Sequence, residues 1–256
     1  MRCLAPSLLL IGLLLGTPGC SNSQTQSATD ASSPPTQTEA APTIDYRGKT
    51  AEGFTVYRSG VLYGYLDAED RIAIPAKYHL AFSFSEGLAK INTRDGFGYV
   101  DRSGREVIAP QYESSGRFRE GRAAALIDGR WGFIDPTGKI AISPQYMEVK
   151  EFSDGIAPAL FDNGWGYLGM DGDTVIRGPY QDARPLHEGL GQFALDQHWG
   201  FLNAEGQIVI EPIYERSKPF FEGKARVMRE EYWIEIDRTG KCIANCGAED
   251  LGFGFE

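Results

Sequence analysis

All four tryptophans of the chain, Trp131, Trp165, Trp199 and Trp233, stand 34 residues apart. Four rare residues fall into one register by chance only about once in tens of thousands of sequences, so the interval is a structural period. Stepping back by the same interval reaches two more aromatics, Phe97 and Tyr63. Glycine follows the ring at Gly64, Gly98, Gly132, Gly166 and Gly200, and a second aromatic follows it at Tyr65, Tyr99, Phe133, Tyr167 and Phe201. Only the last copy, Trp233-Ile234-Glu235, departs. An acidic residue before glycine keeps the same register at Glu52, Glu86, Glu120, Asp154, Glu188 and Glu222, as does an apolar residue at Phe84, Phe118, Phe152, Leu186 and Phe220. Six copies thus tile residues 50–250 as a single body, whose units must stack on one another to bury their rings.

Within one copy the residues predict a three-stranded antiparallel meander. Leu88-Ala89-Lys90-Ile91 has strand character, Asp95-Gly96 makes a hairpin turn, and Phe97-Gly98-Tyr99-Val100 follows. Asp101 and Gly104 bound a type I turn, after which Glu106-Val107-Ile108-Ala109 runs to Pro110. Glycine, at 31 of 256 residues, far exceeds the usual share of roughly 7%, which argues against long helices. Lys224 to Arg238 reads as helix by propensity, but the period makes it two strands around Arg229-Glu230-Glu231-Tyr232. Alternation puts Trp131 and Phe133 on one face and Gly132 and Ile134 on the other, so a bulky face is expected to meet a glycine-notched one. The fold class is all-β: six tandem 34-residue repeats in a β-propeller-like ring, with an open β-solenoid or stacked meander array as the alternative. The ring removes sheet edges; the atypical end copies, with Asp70 in a turn-glycine slot and Ile234 for glycine, suit the array.

The run aromatic-Gly-aromatic, Asp-x-x-Gly, an apolar stretch, Pro-x-Tyr and Phe-x-Glu-Gly resembles the bacterial WG (Trp-Gly) repeat family across the whole folded body. Tyr63 and Phe97 replace tryptophan in the first two copies, and Gly169 replaces aspartate in the fourth. The resemblance implies an exported or surface repeat protein without a shared catalytic residue.

The front of the chain reads as an address. Arg2, the apolar run Leu8 to Leu15 and the small residues Gly16 to Gly19 form a secretory signal peptide over residues 1–19. Gly19-Cys20 is similar to a lipoprotein cleavage site, although Thr17 stands where leucine is customary, and Cys20 is the expected lipidation site. Residues 20–43, rich in Ser, Thr and Pro and free of aromatics, are expected to tether the β domain of residues 44–256. Ser21 after the anchor suggests the outer membrane of a Gram-negative cell. Cys242 and Cys246 are a candidate disulfide, in keeping with an oxidising compartment.

A formal charge of −10 removes the electrostatic drive toward nucleic acid and toward anionic lipid, leaving the lipid anchor as the route to the membrane. No catalytic, cofactor or metal residue set stands out. The histidines His79, His187 and His198 share no spacing with one another or with the cysteines that would suit zinc. Asp67, Asp101, Asp135 and Asp237 share a slot that a ring would bring together, but aspartate opening a type I turn explains them. The acid of the Glu-Gly series is expected to be solvated. Core packing of Tyr63, Phe97, Trp131, Trp165, Trp199 and Trp233 is expected over an exposed sugar-binding stripe, and ligand contacts are expected on the variable connector after each tyrosine slot. The expected role is a non-enzymatic envelope lipoprotein presenting a rigid scaffold to a protein or glycan partner. Peptidoglycan or polysaccharide binding is the alternative, and a hydrolase with a carboxylate site stands behind both.

Overall fold

The 34-residue period becomes one antiparallel sheet per copy in a computed structural model that describes residues 43–247. The leader, Cys20 and the tether up to residue 42 lie outside the described residues. The second sheet shows the pattern: Leu80–Ser85, Leu88–Thr93, Gly96–Asp101 and Glu106–Tyr112 pair in chain order. Its last three strands are the expected meander. The first is the segment read from sequence as a connector, which pairs with the second strand through Leu80 opposite Asn92 and Phe84 opposite Ala89. Five of the six sheets are four-stranded in this way; in the fourth sheet, Ile156–Phe161, Gly164–Gly169 and Thr174–Tyr180 are joined on that side by the isolated bridges Val149–Ala159 and Ser153–Ile156. Among the described residues there is no helix, and Lys224–Arg229 and Tyr232–Asp237 are strands, so tertiary stacking overrides local helix propensity.

The sheets stack face to face in chain order, and one contact recurs. The second aromatic of each copy points forward onto the apolar residue of the next sheet's first strand: Tyr65 meets Phe84 at 5.0 Å between ring centroids, Tyr99 meets Phe118 at 4.8 Å, Phe133 meets Phe152 at 4.8 Å and Phe201 meets Phe220 at 4.9 Å. These edge-on pairs have the geometry that ring quadrupoles prefer. Where the forward ring is tyrosine, its buried hydroxyl donates to a carbonyl of the next sheet: Tyr65 to Phe82, Tyr99 to Gly116 and Tyr167 to Arg184. Beside this contact an isoleucine of the fourth strand presses onto the turn glycine of the following sheet. A Cβ on Gly206, for example, would lie 2.7 Å from Ile176 Cγ1.

The glycine after each tryptophan slot serves a different purpose from the expected inter-sheet notch. A Cβ on Gly132 would sit 2.5 Å from the Ile142 carbonyl oxygen and 2.8 Å from Pro144 of the same sheet, because the fourth strand bulges over the third there. In the sixth sheet the fourth strand is only Cys242–Ala244, nothing among the described residues crosses that position, and Ile234 is accommodated. Cys242 is disulfide-bonded to Cys246 with Cα atoms 5.9 Å apart, tying down the end of this short strand.

The acidic residues of the Glu-Gly series are not simply solvated. Each turn is of type I′, with Glu120 at φ 51° and Gly121 at φ 70°, a conformation that asparagine or glycine adopts more cheaply than glutamate. The carboxylate compensates by accepting the two backbone N–H groups of the next copy's turn. Glu52 takes those of Glu86 and Gly87 at 2.7 and 3.0 Å, and Glu120 takes those of Asp154 and Gly155 at 2.8 and 2.9 Å. Glu86 and Glu188 do the same, whereas Asp154, one methylene shorter, reaches only Gly189. The result is a ladder of carboxylate clasps along one end of the stack.

Ring closure would set the rear of the first sheet against the front of the sixth, and every contact slot differs there. Thr50 replaces the rear phenylalanine, Asp70 the turn glycine, Glu235 the forward aromatic and Ala244 the forward isoleucine. The new polar groups have local partners, Asp70 with Arg47 and Glu235 with Lys224. No hydrogen bond or ion pair among the described residues joins the first sheet to the sixth. Stacked sheets are common to propeller blades and to an open array, and the fold is consistent with either.

The clasps and the ends can each be tested by substitution. Glu120→Ala, which keeps the strained backbone and loses both hydrogen bonds, should lower unfolding stability by about 1–2 kcal/mol in urea titrations. Glu120→Gly should cost less, and Glu222→Ala should be near neutral, because no hydrogen bond to the Glu222 carboxylate is present among the described residues. Combining Thr50→Phe, Asp70→Gly, Glu235→Phe and Ala244→Ile should restore matching apolar ends. Sedimentation velocity should then show either concentration-dependent association or a more compact monomer, and an unchanged sedimentation coefficient would show that these residues do not keep the ends apart.

Candidate functional site

The six slots of the tryptophan register lie at the start of each third strand, on the forward face and at the opposite end of the sheet from the clasps. The expectation that they form the core holds only for Trp165, 7% exposed; Tyr63, Phe97, Trp131, Trp199 and Trp233 are half-buried. The core position belongs to the aromatic two residues later, which is at most 1% exposed in the first five copies. The first ring sits where the gap between neighbouring sheets opens to solvent, so it covers the core's margin while keeping part of its surface accessible.

Cations cover several of these rings. Lys150 Nζ lies 4.4 Å from the Trp165 ring centroid, the Arg184 guanidinium 4.1 Å from Trp199 and that of Arg226 5.6 Å from Trp233. Lys90 Nζ sits 4.1 Å from the Phe82 ring and 5.0 Å from Phe97, and burial pushes its ammonium pKa down. Stacking of this kind contributes about 0.5–2 kcal/mol, rising with desolvation.

Between the fifth and sixth sheets lies a cleft of about 360 Å³, lined by Arg184, Trp199, Arg216, Ser217, Lys218 and Trp233. Arg184 comes from Asp182–His187, Trp199 from His198–Leu202, Arg216 and Ser217 from the strand they form, and Trp233 from Tyr232–Asp237. The expected connectors therefore do contribute here, but as first strands. Ser217 is 6% exposed and its Oγ accepts from the amide of Gln192, itself 2% exposed, which leaves the serine hydrogen to donate.

The remaining candidates resolve into architecture. Asp101 Oδ1 accepts from the backbone N–H of Ser103 at 2.9 Å and of Arg105 at 3.1 Å, and Asp135 and Asp237 repeat the arrangement. The Ser103, Thr137 and Thr239 hydroxyls hold these three carboxyls below the ordinary value, and the Arg71 N–H does so for Asp67. That direction is opposite to what a general acid requires. Among the described residues no group of three or more His, Cys, Asp or Glu side chains is placed to hold a metal ion.

The profile of the family described as WG containing repeat matches residues 63–95, 97–131, 131–165 and 199–233, more than half of the chain. The chain belongs to the WG-repeat family. No curated protein matches it significantly. Among solved structures it is similar to a eukaryotic initiation factor at 12% identity and a TM-score of 0.52, over 76% of this chain and 63% of that one. It is also similar to PorZ of Porphyromonas gingivalis, a surface component of the type-IX secretion system, at 10% identity and a TM-score of 0.39, over 80% and 32%. A third match is the extracellular domain of the two component system BT4673 of B. thetaiotaomicron, at 10% identity and a TM-score of 0.42, over 76% and 33%. The chain thus spans less than two thirds of each of these structures, and at such identities the first supports the fold alone.

Acid stability should report the clasp that carries a third partner. Burial tends to raise the Glu52 pKa, but the Arg102 hydrogen bond and the N–H groups of Gly87 and Glu86 outweigh it and hold the carboxyl below 4.5. A carboxyl lowered by folding contributes stability that is complete above its unfolded value and drains away as pH falls through the folded one. Urea midpoints should therefore decline below about pH 4.5, and Glu52→Gln should flatten part of that decline while leaving the midpoint at neutral pH lower than in the wild type.

Proposed function

We propose that this WG-repeat protein is a non-enzymatic binding scaffold of the bacterial cell envelope. The leader delivers it across the membrane, Cys20 carries the lipid that anchors it, and the tether holds the stacked sheets clear of the surface. The observation that carries the reading is the row of rings, one per sheet and half-buried in all but the fourth, at the margins of the inter-sheet gaps. A rigid stack that offers aromatic surface and cations at a constant spacing suits recognition of an extended partner, because the scaffold loses little conformational entropy on binding. The partner is an envelope protein or a glycan. The second reading, a polysaccharide or peptidoglycan binder, is supported by Trp131, a half-buried ring with no cation stacked on it among the described residues.

Two measurements test this together. Metabolic labelling with palmitate should mark the wild-type protein and fail to mark Cys20→Ser; equal labelling refutes the anchor. Crosslinking in intact cells should capture a discrete envelope partner, and sedimentation with purified peptidoglycan separates the two readings. A protein that stays with the cytoplasmic fraction and captures nothing would overturn the proposal.

A further inference from the structure

We infer that the cleft between the fifth and sixth sheets binds an anionic saccharide, a carboxylated sugar above all. The inference rests on the scaffold reading and assigns the ligand chemistry of one place within it.

Successive inter-sheet gaps differ in the charges that face them. Between the fourth and fifth sheets, Lys150 reaches across and pairs with Asp182. One period on, the same two slots hold Arg184 and Arg216. A bridging ion pair has thus become a pair of like charges facing one gap, and Lys218, in the slot of Lys150 and Arg184, adds a third. Arg184 keeps only a 3.7 Å contact to Asp182, already committed to Lys150, and Arg216 and Lys218 have no carboxylate within ion-pair distance among the described residues. In a chain of charge −10, carboxylates are plentiful, so uncompensated cations in one cleft are a local property and not a consequence of composition. Like charges so placed are unfavourable unless an anion sits between them.

The walls define the rest of the ligand. Trp199 and Trp233 contribute half-buried rings from successive sheets; Arg184 lies over the first at 4.1 Å and Arg226 over the second at 5.6 Å, so a pyranose would meet the ring surface these cations leave exposed, with the Arg184 guanidinium beside it. The buried Ser217 hydroxyl and the guanidinium donors suit a carboxylate and its neighbouring hydroxyl groups. A volume of about 360 Å³ lies at the small end of ligand pockets and accepts a sugar ring or two, while a folded protein epitope needs a far larger surface.

The purified full-length protein is titrated by tryptophan fluorescence and calorimetry with trigalacturonate, maltotriose, inorganic phosphate and a hexaglutamate peptide. Trigalacturonate should bind saturably and more weakly as salt rises, with maltotriose and phosphate showing little binding. Arg216→Asp recreates the Lys150–Asp182 pattern opposite Arg184, so it should melt no lower than the wild type while binding trigalacturonate about tenfold more weakly or worse. Equal binding of maltotriose, tighter binding of hexaglutamate, phosphate binding as tight as trigalacturonate, unchanged affinity in Arg216→Asp, or no trigalacturonate binding would each overturn the assignment. A wild-type protein that captures its envelope partner yet ignores trigalacturonate would leave the scaffold reading standing and remove this one; the converse result would separate them the other way.

Discussion

The forward-pointing ring of each copy, Tyr65, Tyr99, Phe133, Tyr167 or Phe201, is the contact on which the stack depends. A three- or four-stranded sheet this small has two apolar faces and cannot bury either by itself. Placing one ring on the first strand of the next sheet solves the problem for both partners at once. It also constrains the spacing: the ring, its receiving apolar residue and the isoleucine beside it must recur together, so an insertion within a strand would displace all three. The constancy of the 34-residue interval follows from that packing.

The clasp ladder works at the opposite end of the sheets from the tryptophan row, and the two ends are built on different physics. At one, carboxylates bind backbone N–H groups of the following turn and fix the relation between neighbours through directional, charge-assisted bonds. At the other, rings and cations cover the margin without closing it. A stack held firmly along one end can leave accessible gaps along the other, which is where Arg184, Trp199 and Trp233 meet solvent.

Periodicity makes the fold class, the strands on either side of Glu230 and the aspartate turns legible in the amino-acid sequence, because each is a local consequence of residue type at a repeated position. Two features escape it for physical reasons. The first strand is poorly patterned, and in the third and sixth sheets only two residues long, as within Glu113-Ser114-Ser115-Gly116; it becomes a strand because the sheet's own second strand offers it backbone partners. The half-burial of the tryptophans is hidden because both aromatics of the motif alternate onto one face, and nothing in the alternation says which lies at the sheet's end. The clasps do leave a signal: glutamate persists in a type I′ turn, where asparagine would be less strained, so the carboxylate must have another duty.

Repetition also makes every interface a control for the next. Five interfaces share the ring contact, four of them through two aromatics, so the ring contact does not require a particular residue at the positions that differ among them. The positions that differ most are those of the first strand, where Phe82, Gly116, Lys150, Arg184 and Lys218 occupy one slot and Leu80, Ser114, Glu148, Asp182 and Arg216 another. Neutral, mixed and opposite-charge pairs all appear across successive gaps, and each leaves the forward ring buried. Only the last gap sets arginine against arginine. The ring contact beneath it, Phe201 on Phe220, has the same geometry as its counterparts, so that contact does not depend on which charges face the gap.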